Sequence, residues 1–207
     1  QDEDIWVRRH VPSTLGRIPC EASVTALVGA LGIADGFLRY KTITALVRLR
    51  SSNHELPIDA SVIERQVLAE AGRAFEALTL YTNLFVAGSV NPACLLARVL
   101  EEKRTRAMQR IFQLLGLVHP PSDIATVAAA LRSSEPRQRS GAVELLDNTL
   151  RGEVRRRVVL LVEDMPADER VRKGNVIYKT RARDLEDTLA QLVHDENQVV
   201  AAAAMLL

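Results

Sequence analysis

Two carboxylates three residues apart, Glu144 and Asp147 in "AVELLDNTL", have the spacing best suited to chemistry in this chain. On a helix they share one face, where such a pair can serve as general acid and general base. The same pair also serves as a cap or as a hydrogen-bonding device between packed helices, and the sequence leaves both readings open. His10, His54, His119 and His194 have no second His, Cys or carboxylate at a metal-ligand spacing on one face. Cys20 and Cys94 lie far apart and form no CxxC or Cys/His cluster, so neither a zinc site nor a disulfide framework is indicated. There is also no glycine-rich phosphate loop and no nucleophile elbow. The expectation is a protein with no catalytic residue, no cofactor and no metal.

Charge narrows the partners. Lys and Arg number 27 against 26 Asp and Glu, which gives no case for general binding to nucleic acid or a membrane surface. Aromatic residues make up 4% of the chain, too few for a base-stacking cleft. The imbalance is local: residues 151 to 183 hold ten basic side chains against five acids. Arg155, Arg156, Arg157, Arg170, Arg172 and Lys173 form a candidate anionic-surface patch, or else a solvated helix face and loop. A weak, salt-sensitive contact with an anionic membrane surface is the most that this segment predicts. The longest apolar runs, such as "VVAAAAMLL", fall short of the ~20 residues that a membrane helix needs. A reduced, cytoplasmic compartment is the default for two unpaired cysteines. The chain opens on "QDEDIWVRRH" without a methionine and closes on an apolar stretch, as expected of a segment of a longer protein.

The elements that must position these residues are helices, and they recur. A shift of 100 residues lays Val24, Leu27, Val28 and Leu31 on Ile124, Val127, Ala128 and Leu131, and Arg39, Ala45 and Leu46 on Arg139, Leu145 and Leu146. A shift of 31 lays "DIWVRRHVPSTLGRI" on "DGFLRYKTITALVRL", matching Asp4 to Asp35, Arg8 to Arg39 and Leu15 to Leu46. Apolar residues fall at helical spacing throughout, and none alternates by two. Helix pairs of this kind cannot bury both faces alone, so the expected fold is all-α: a HEAT-like α-solenoid of stacked pairs with a longer central pair. One domain over 1–207 would contain units at 1–19 (partial), 20–52, 59–118, 121–150, 151–163 with a loop, and 184–207. Asp35 is placed to cap a helix start, and Asp4, aligned with it, is a structural residue between repeats. Arg8, Arg39 and Arg139 are placed to bond an acid of a neighbouring unit.

In finer detail, 59 to 86 reads as one long helix through Ile63, Val67, Ala71, Ala74, Leu78, Tyr81 and Phe85. Asn91 and Pro92 then read as the cap and first-turn proline of a helix running to Val118. The polar run "EEKRTR", residues 101 to 106, either projects from the stack or bends that helix. "DMPADERVRKGNVIYKTRAR" reads as an irregular, mobile loop. Asp195 reads as the start of the last helix.

The inner-helix surfaces carry the functional expectation. With Leu38, Ala45, Leu46 and Leu49 as the core stripe, Phe37, Tyr40, Thr44 and Val47 face away from it. Alignment adds Trp6, Arg9, Ser13 and Gly16 from the preceding unit, and Arg137, Ser140, Glu144 and Asp147 from the 121–150 unit. The candidate partner surface is therefore Trp6, Arg9, Phe37, Tyr40, Arg137, Glu144 and Asp147, with the rings as anchors. The opposing reading is that the long helices or an adjoining domain cover these rings as core.

"RRHVPSTLGRI", "DGFLRYKTITALVRLR", "RIFQLLGLVHPPSDI" and "AVELLDNTL", in that order, resemble the HEAT-repeat region of a family of bacterial proteins. These join an ATP/ADP-translocase-like membrane domain of the major facilitator type to a soluble tail, often with a cyclic-nucleotide-binding domain. The resemblance covers roughly residues 5 to 163. It implies a non-catalytic cytoplasmic scaffold or regulatory module whose partners are protein: adjoining domains of the same polypeptide or another protein. Other HEAT-like proteins are hydroxylases that bind iron through repeated His-Glu pairs, DNA glycosylases with a basic aromatic cleft, and lyases. Here His54-Glu55 occurs once, in a loop, so an enzyme or nucleic-acid binder is the weaker alternative.

Overall fold

A computed structural model describes residues 4–206 apart from Ser89, Ala182 and Glu196, with Ile5 described by its backbone alone. Among the described residues the chain is helical and contains no strand. It divides into two compact units, Gln1–Ala69 with Gln109–Ala130, and Glu70–Met108 with Leu131–Leu207. Two long helices, α4 (Ala60–Tyr81) and α5 (Leu95–Val118), each contribute residues to both.

The first unit contains α1 (Ile5–Leu15), α2 (Glu21–Gly29), α3 (Gly36–Ser52) and α6 (Pro121–Ala130). The carboxylate of Asp4 caps α1 by accepting from the Trp6 amide at 2.7 Å. Asp35 caps α3 by accepting from the amides of Phe37 and Leu38 at 2.8 and 3.2 Å. Beyond α3, the Arg50 guanidinium donates to the carbonyls of His54 and Leu56 and ties down the following loop. α3 buries Leu38, Arg39, Thr42, Ile43, Ala45, Leu46 and Leu49, more than one stripe, because it packs on both α1 and α2. Fully burying Ile43, Leu46 and Leu49 contributes about 1.5–3 kcal/mol each. Gly16, expected on the outward face, instead meets α3: a Cβ there would lie 2.9 Å from the Ala45 Cβ. The close approach of the two helices needs the missing side chain.

The second unit holds α7 (Pro136–Thr149), α8 (Gly152–Val162), α9 (Ala167–Tyr178), α10 (Leu185–Val193) and α11 (Gln198–Ala204). Leu80, Leu84, Leu96, Leu100, Leu192, Val200, Ala203 and Ala204 form one buried cluster, with Tyr81, Phe85 and Cys94 packed around it. The helix expected over 59–86 is α-helical to Tyr81 and then widens into a π-turn, Thr82–Val86, closed by the Ala87 amide on the Thr82 carbonyl at 2.9 Å. Asn83 uses this turn to reach α10, donating to the Thr188 hydroxyl at 3.2 Å and the Arg183 carbonyl at 3.3 Å.

Several boundaries differ from the sequence reading. α5 begins at Leu95, not at Pro92, because the Asn91 side chain closes a local turn by accepting from the Ala93 amide. The run 101–106 does not break α5: Glu101 pairs with Arg104 and Glu102 with Arg106 along the helix, while Lys103 pairs with Asp195 at 2.5 Å. Asp195 is thereby occupied, and Asn197 caps α11 by accepting from the Val199 amide. The stretch expected as an irregular loop contains α9, which ends where Lys179 adopts a left-handed conformation, φ 56°. α9 is anchored by Val171, Gly174 and Tyr178, one turn apart. Gly174 lies so close to Phe75 that a Cβ would sit 2.0 Å from its ring.

Candidate interaction surface

Asp4 and Asp35 start α1 and α3, and each start sets an aromatic ring two residues on, Trp6 and Phe37. Trp6 is 68% exposed and Phe37 47% exposed. The Arg9 guanidinium carbon lies 5.1 Å from the Phe37 ring centroid, and the Lys41 ammonium 5.5 Å from it. Arg9 also faces Asp35 at 3.8 Å. Both cations thus lie within cation–π range of the ring, an interaction worth roughly 0.5–1 kcal/mol at an exposed site. Tyr40 and Val47 are half-buried, whereas Phe37, Thr44 and Arg48 are exposed, so the outward stripe of α3 keeps Phe37 and Thr44 of the expected line and takes Arg48, with half-buried Lys41, in place of Val47 and Tyr40. The two lines differ by about half of one residue step of 100°. What decides between them is the packing of α1 against α3.

Arg137, Glu144 and Asp147 lie on α7, in the second unit. Arg137 and Glu144 are exposed. Asp147 is gripped by Arg155 in a two-pronged bond, Nε to Oδ1 and Nη2 to Oδ2, each 2.7 Å. Those donated hydrogen bonds lower the Asp147 pKa and, reciprocally, raise that of Arg155. Asp147 is therefore a fixed anion, engaged by its neighbour.

The expected anionic-surface patch consists largely of paired cations. Besides Arg155 with Asp147, Arg156 pairs with Glu153, Arg157 approaches the same carboxylate at 3.5 Å, and Lys173 pairs with Glu169 at 2.9 Å. Arg157 also lies over the Tyr178 ring, 5.1 Å from its centroid. Arg170 turns back to donate to the carbonyls of Glu163 and Met165, and burial lowers its pKa. Arg172 is exposed.

Arg39, 5% exposed, donates to the carbonyls of Ile33 and Ala34. Arg139 makes the same pair of bonds to Ser133 and Ser134, both 3.1 Å, and reaches Asp164 at 3.4 Å. Each arginine thus clamps the loop that leads into its own helix, and Arg139 in addition reaches the acid Asp164 beyond α8, as the sequence predicts for a bond between units. Arg170 makes a related clamp ahead of α9, and sequence reasoning had placed it on the surface. Arg8 is exposed.

One signal could have located the first-unit surface from sequence. Residues 1 to 52 hold seven Lys and Arg against five Asp and Glu, a modest basic excess in a nearly neutral chain. Its exposed or half-buried members include Arg8, Arg9, Arg17, Lys41 and Arg48, of which only Arg8 and Arg9 were singled out. Cys20, exposed beside this region, has its thiol 3.4 Å from the Ser23 hydroxyl, and that bond lowers its pKa.

Among the described residues no group of His, Cys, Asp and Glu is arranged to hold a metal ion, and no helix is long and apolar enough to cross a membrane. No family model, curated protein or solved structure matches the chain.

Proposed function

We propose that this chain is a HEAT-like helical module that acts without catalysis, as a protein-interaction or regulatory scaffold. In this reading it is the cytoplasmic part of a larger, nucleotide-transporter-like bacterial protein, positioned at the inner face of the membrane. The observation that carries the reading is the exposure of Trp6 and Phe37 on α1 and α3. Rigid aromatic side chains give large contact area at low entropic cost and are enriched among the residues that dominate binding energy. The recurrence of the capping aspartate and the following arginine at Asp4 and Arg8, Asp35 and Arg39 supports a repeated helical unit.

The test places a photo-crosslinking residue at position 6 or 37 of the full polypeptide in cells, with Val176, 79% exposed on α9, as the control position. Protein crosslinks from 6 and 37 but not from 176 support the module. Crosslinks to nucleic acid at those positions, or none above the control, overturn it. Reading the gene around this chain tests the context: upstream apolar spans of about 20 residues each support the transporter setting.

A further inference from the structure

Two stretches of the first unit carry the same chemical order at the same spacing. Trp6, His10, Ser13 and Arg17 run aromatic, base, hydroxyl, arginine; Phe37, Lys41, Thr44 and Arg48 repeat that order 31 residues later. The steps of four and three keep Trp6, His10 and Ser13 on one face of α1, and Phe37, Lys41, Thr44 and Arg48 on one face of α3, while Arg17 follows in the turn beyond the Gly16 cap. Trp6, His10, Arg17, Phe37, Thr44 and Arg48 are exposed, and Ser13 and Lys41 half-buried. α1 and α3 pack directly on one another, and Arg9 joins the two stripes by lying over Phe37 while facing Asp35.

The geometry points to the partner's chemistry: we propose that the paired stripes on α1 and α3 take an acidic segment of a protein. Its apolar side chains would rest on Trp6 and Phe37, and its carboxylates would meet Arg17, Lys41 and Arg48. This rests on the interaction-module reading above. Charge complementarity is the ground for it, since the eight residues of the two sets include Arg17, Lys41 and Arg48 and no acid. Asp4 and Asp35, close by in sequence, are engaged at helix caps. The state of Phe37 selects protein over a single-stranded nucleic acid. Bases bind by stacking on an open ring face, whereas Arg9 and Lys41 already lie within cation–π range of this ring. An aliphatic side chain packs against the ring edge without displacing either cation. The α3 stripe of eleven residue steps is about 16 Å long, so it accommodates about five residues of extended chain.

Trp6 is the only tryptophan, so its emission reports occupancy directly. The probes are three synthetic peptides without tryptophan, each about 18 residues long, more than enough to span the stripe in an extended conformation. All carry leucines at the same positions, with the remaining residues Glu in one, Gln in the second and Lys in the third. The Glu peptide should blue-shift Trp6 emission and bind on the order of tenfold tighter than the Gln peptide at low salt, an advantage lost at high salt. Lys41→Glu/Arg48→Glu should reverse the preference toward the Lys peptide, and Phe37→Ala should weaken the Glu peptide. Arg48→Gln alone, at an exposed position, should give a smaller weakening of the same sign and guards against misfolding of the double variant. Equal affinity for the Glu and Gln peptides overturns the acidic partner while leaving the module reading in place. Tighter binding of oligouridylate, or of phosphatidylserine vesicles, than of the Glu peptide overturns the proposal in favour of that partner. Binding of none of the probes overturns it as well, and the crosslinking experiment then decides the module reading separately.

Discussion

The Tyr178 ring lies flat on the Phe75 ring, with centroids 4.3 Å apart and planes 3° from parallel. The Tyr178 hydroxyl donates to the Arg157 carbonyl at 3.0 Å, and burial raises its pKa, so the phenol stays protonated. Gly174 presses its bare Cα region against Phe75 one turn before Tyr178. One ring of α4 is therefore clasped by a glycine and a tyrosine of α9.

This clasp predicts that Gly174→Ala destabilises the protein by about 1–3 kcal/mol through overpacking, although alanine favours a helix over glycine. Tyr178→Phe keeps the stack and loses one hydrogen bond, and should cost about 1 kcal/mol. Urea unfolding followed by circular dichroism measures both. A stabilised Gly174→Ala variant would contradict the close packing of α9 on Phe75.

Arg39 and Arg139 make like bonds in unlike surroundings. Arg39→Ala strips a buried charged donor from two carbonyls and should cost on the order of 1–3 kcal/mol. The Arg139 side chain is 32% exposed, so Arg139→Ala should cost about 1 kcal/mol or less. Equal losses of stability in the two variants would show that exposure does not set the difference.

The Asp147–Arg155 pair predicts an acid-sensitive contribution. Asp147 has a folded pKa depressed below its unfolded value, so its contribution is fully present above the unfolded pKa of about 3.9 and is lost as pH falls through the folded one. The difference in melting temperature between wild type and Asp147→Asn should be present at neutral pH and close below about pH 4. A difference unchanged by acid would mean that the fork bond adds nothing to stability.

Cys20 should be the reactive thiol. It is exposed, and the Ser23 hydrogen bond lowers its pKa, whereas Cys94 is half-buried against the core of the second unit. A maleimide should label Cys20 first, with a pH midpoint below the ordinary value of about 8.5. Ser23→Ala should raise that midpoint. Faster labelling of Cys94 would show that the second-unit cluster opens readily.

Periodicity and capping chemistry determined much of this protein without tertiary information. Asp4 and Asp35 mark helix starts because a short carboxylate satisfies amides that no helix can pair internally, a local rule. The face through Ile63, Val67, Ala71 and Ala74 was legible because a strictly periodic apolar stripe has one way to be buried. α9 was not legible: its contacts use one valine, a glycine and a tyrosine, and a glycine's value lies in a close approach that composition does not encode. The π-turn at Thr82–Val86 was hidden for a related reason, since Asn83 meets residues a hundred positions away.

The interaction surface divides in the same way. The aromatic type and register of Trp6 and Phe37 are written in the chain, and so is the basic excess around them. Which neighbour shares their face was decided by α1 packing on α3, where Gly16 meets Ala45 and leaves both Tyr40 and Lys41 half-buried. Likewise Glu144 and Asp147 share a helix face in any helical reading. Only the fold brings Arg155 to Asp147, because helix periodicity sets which residues share a face, while packing sets what that face meets.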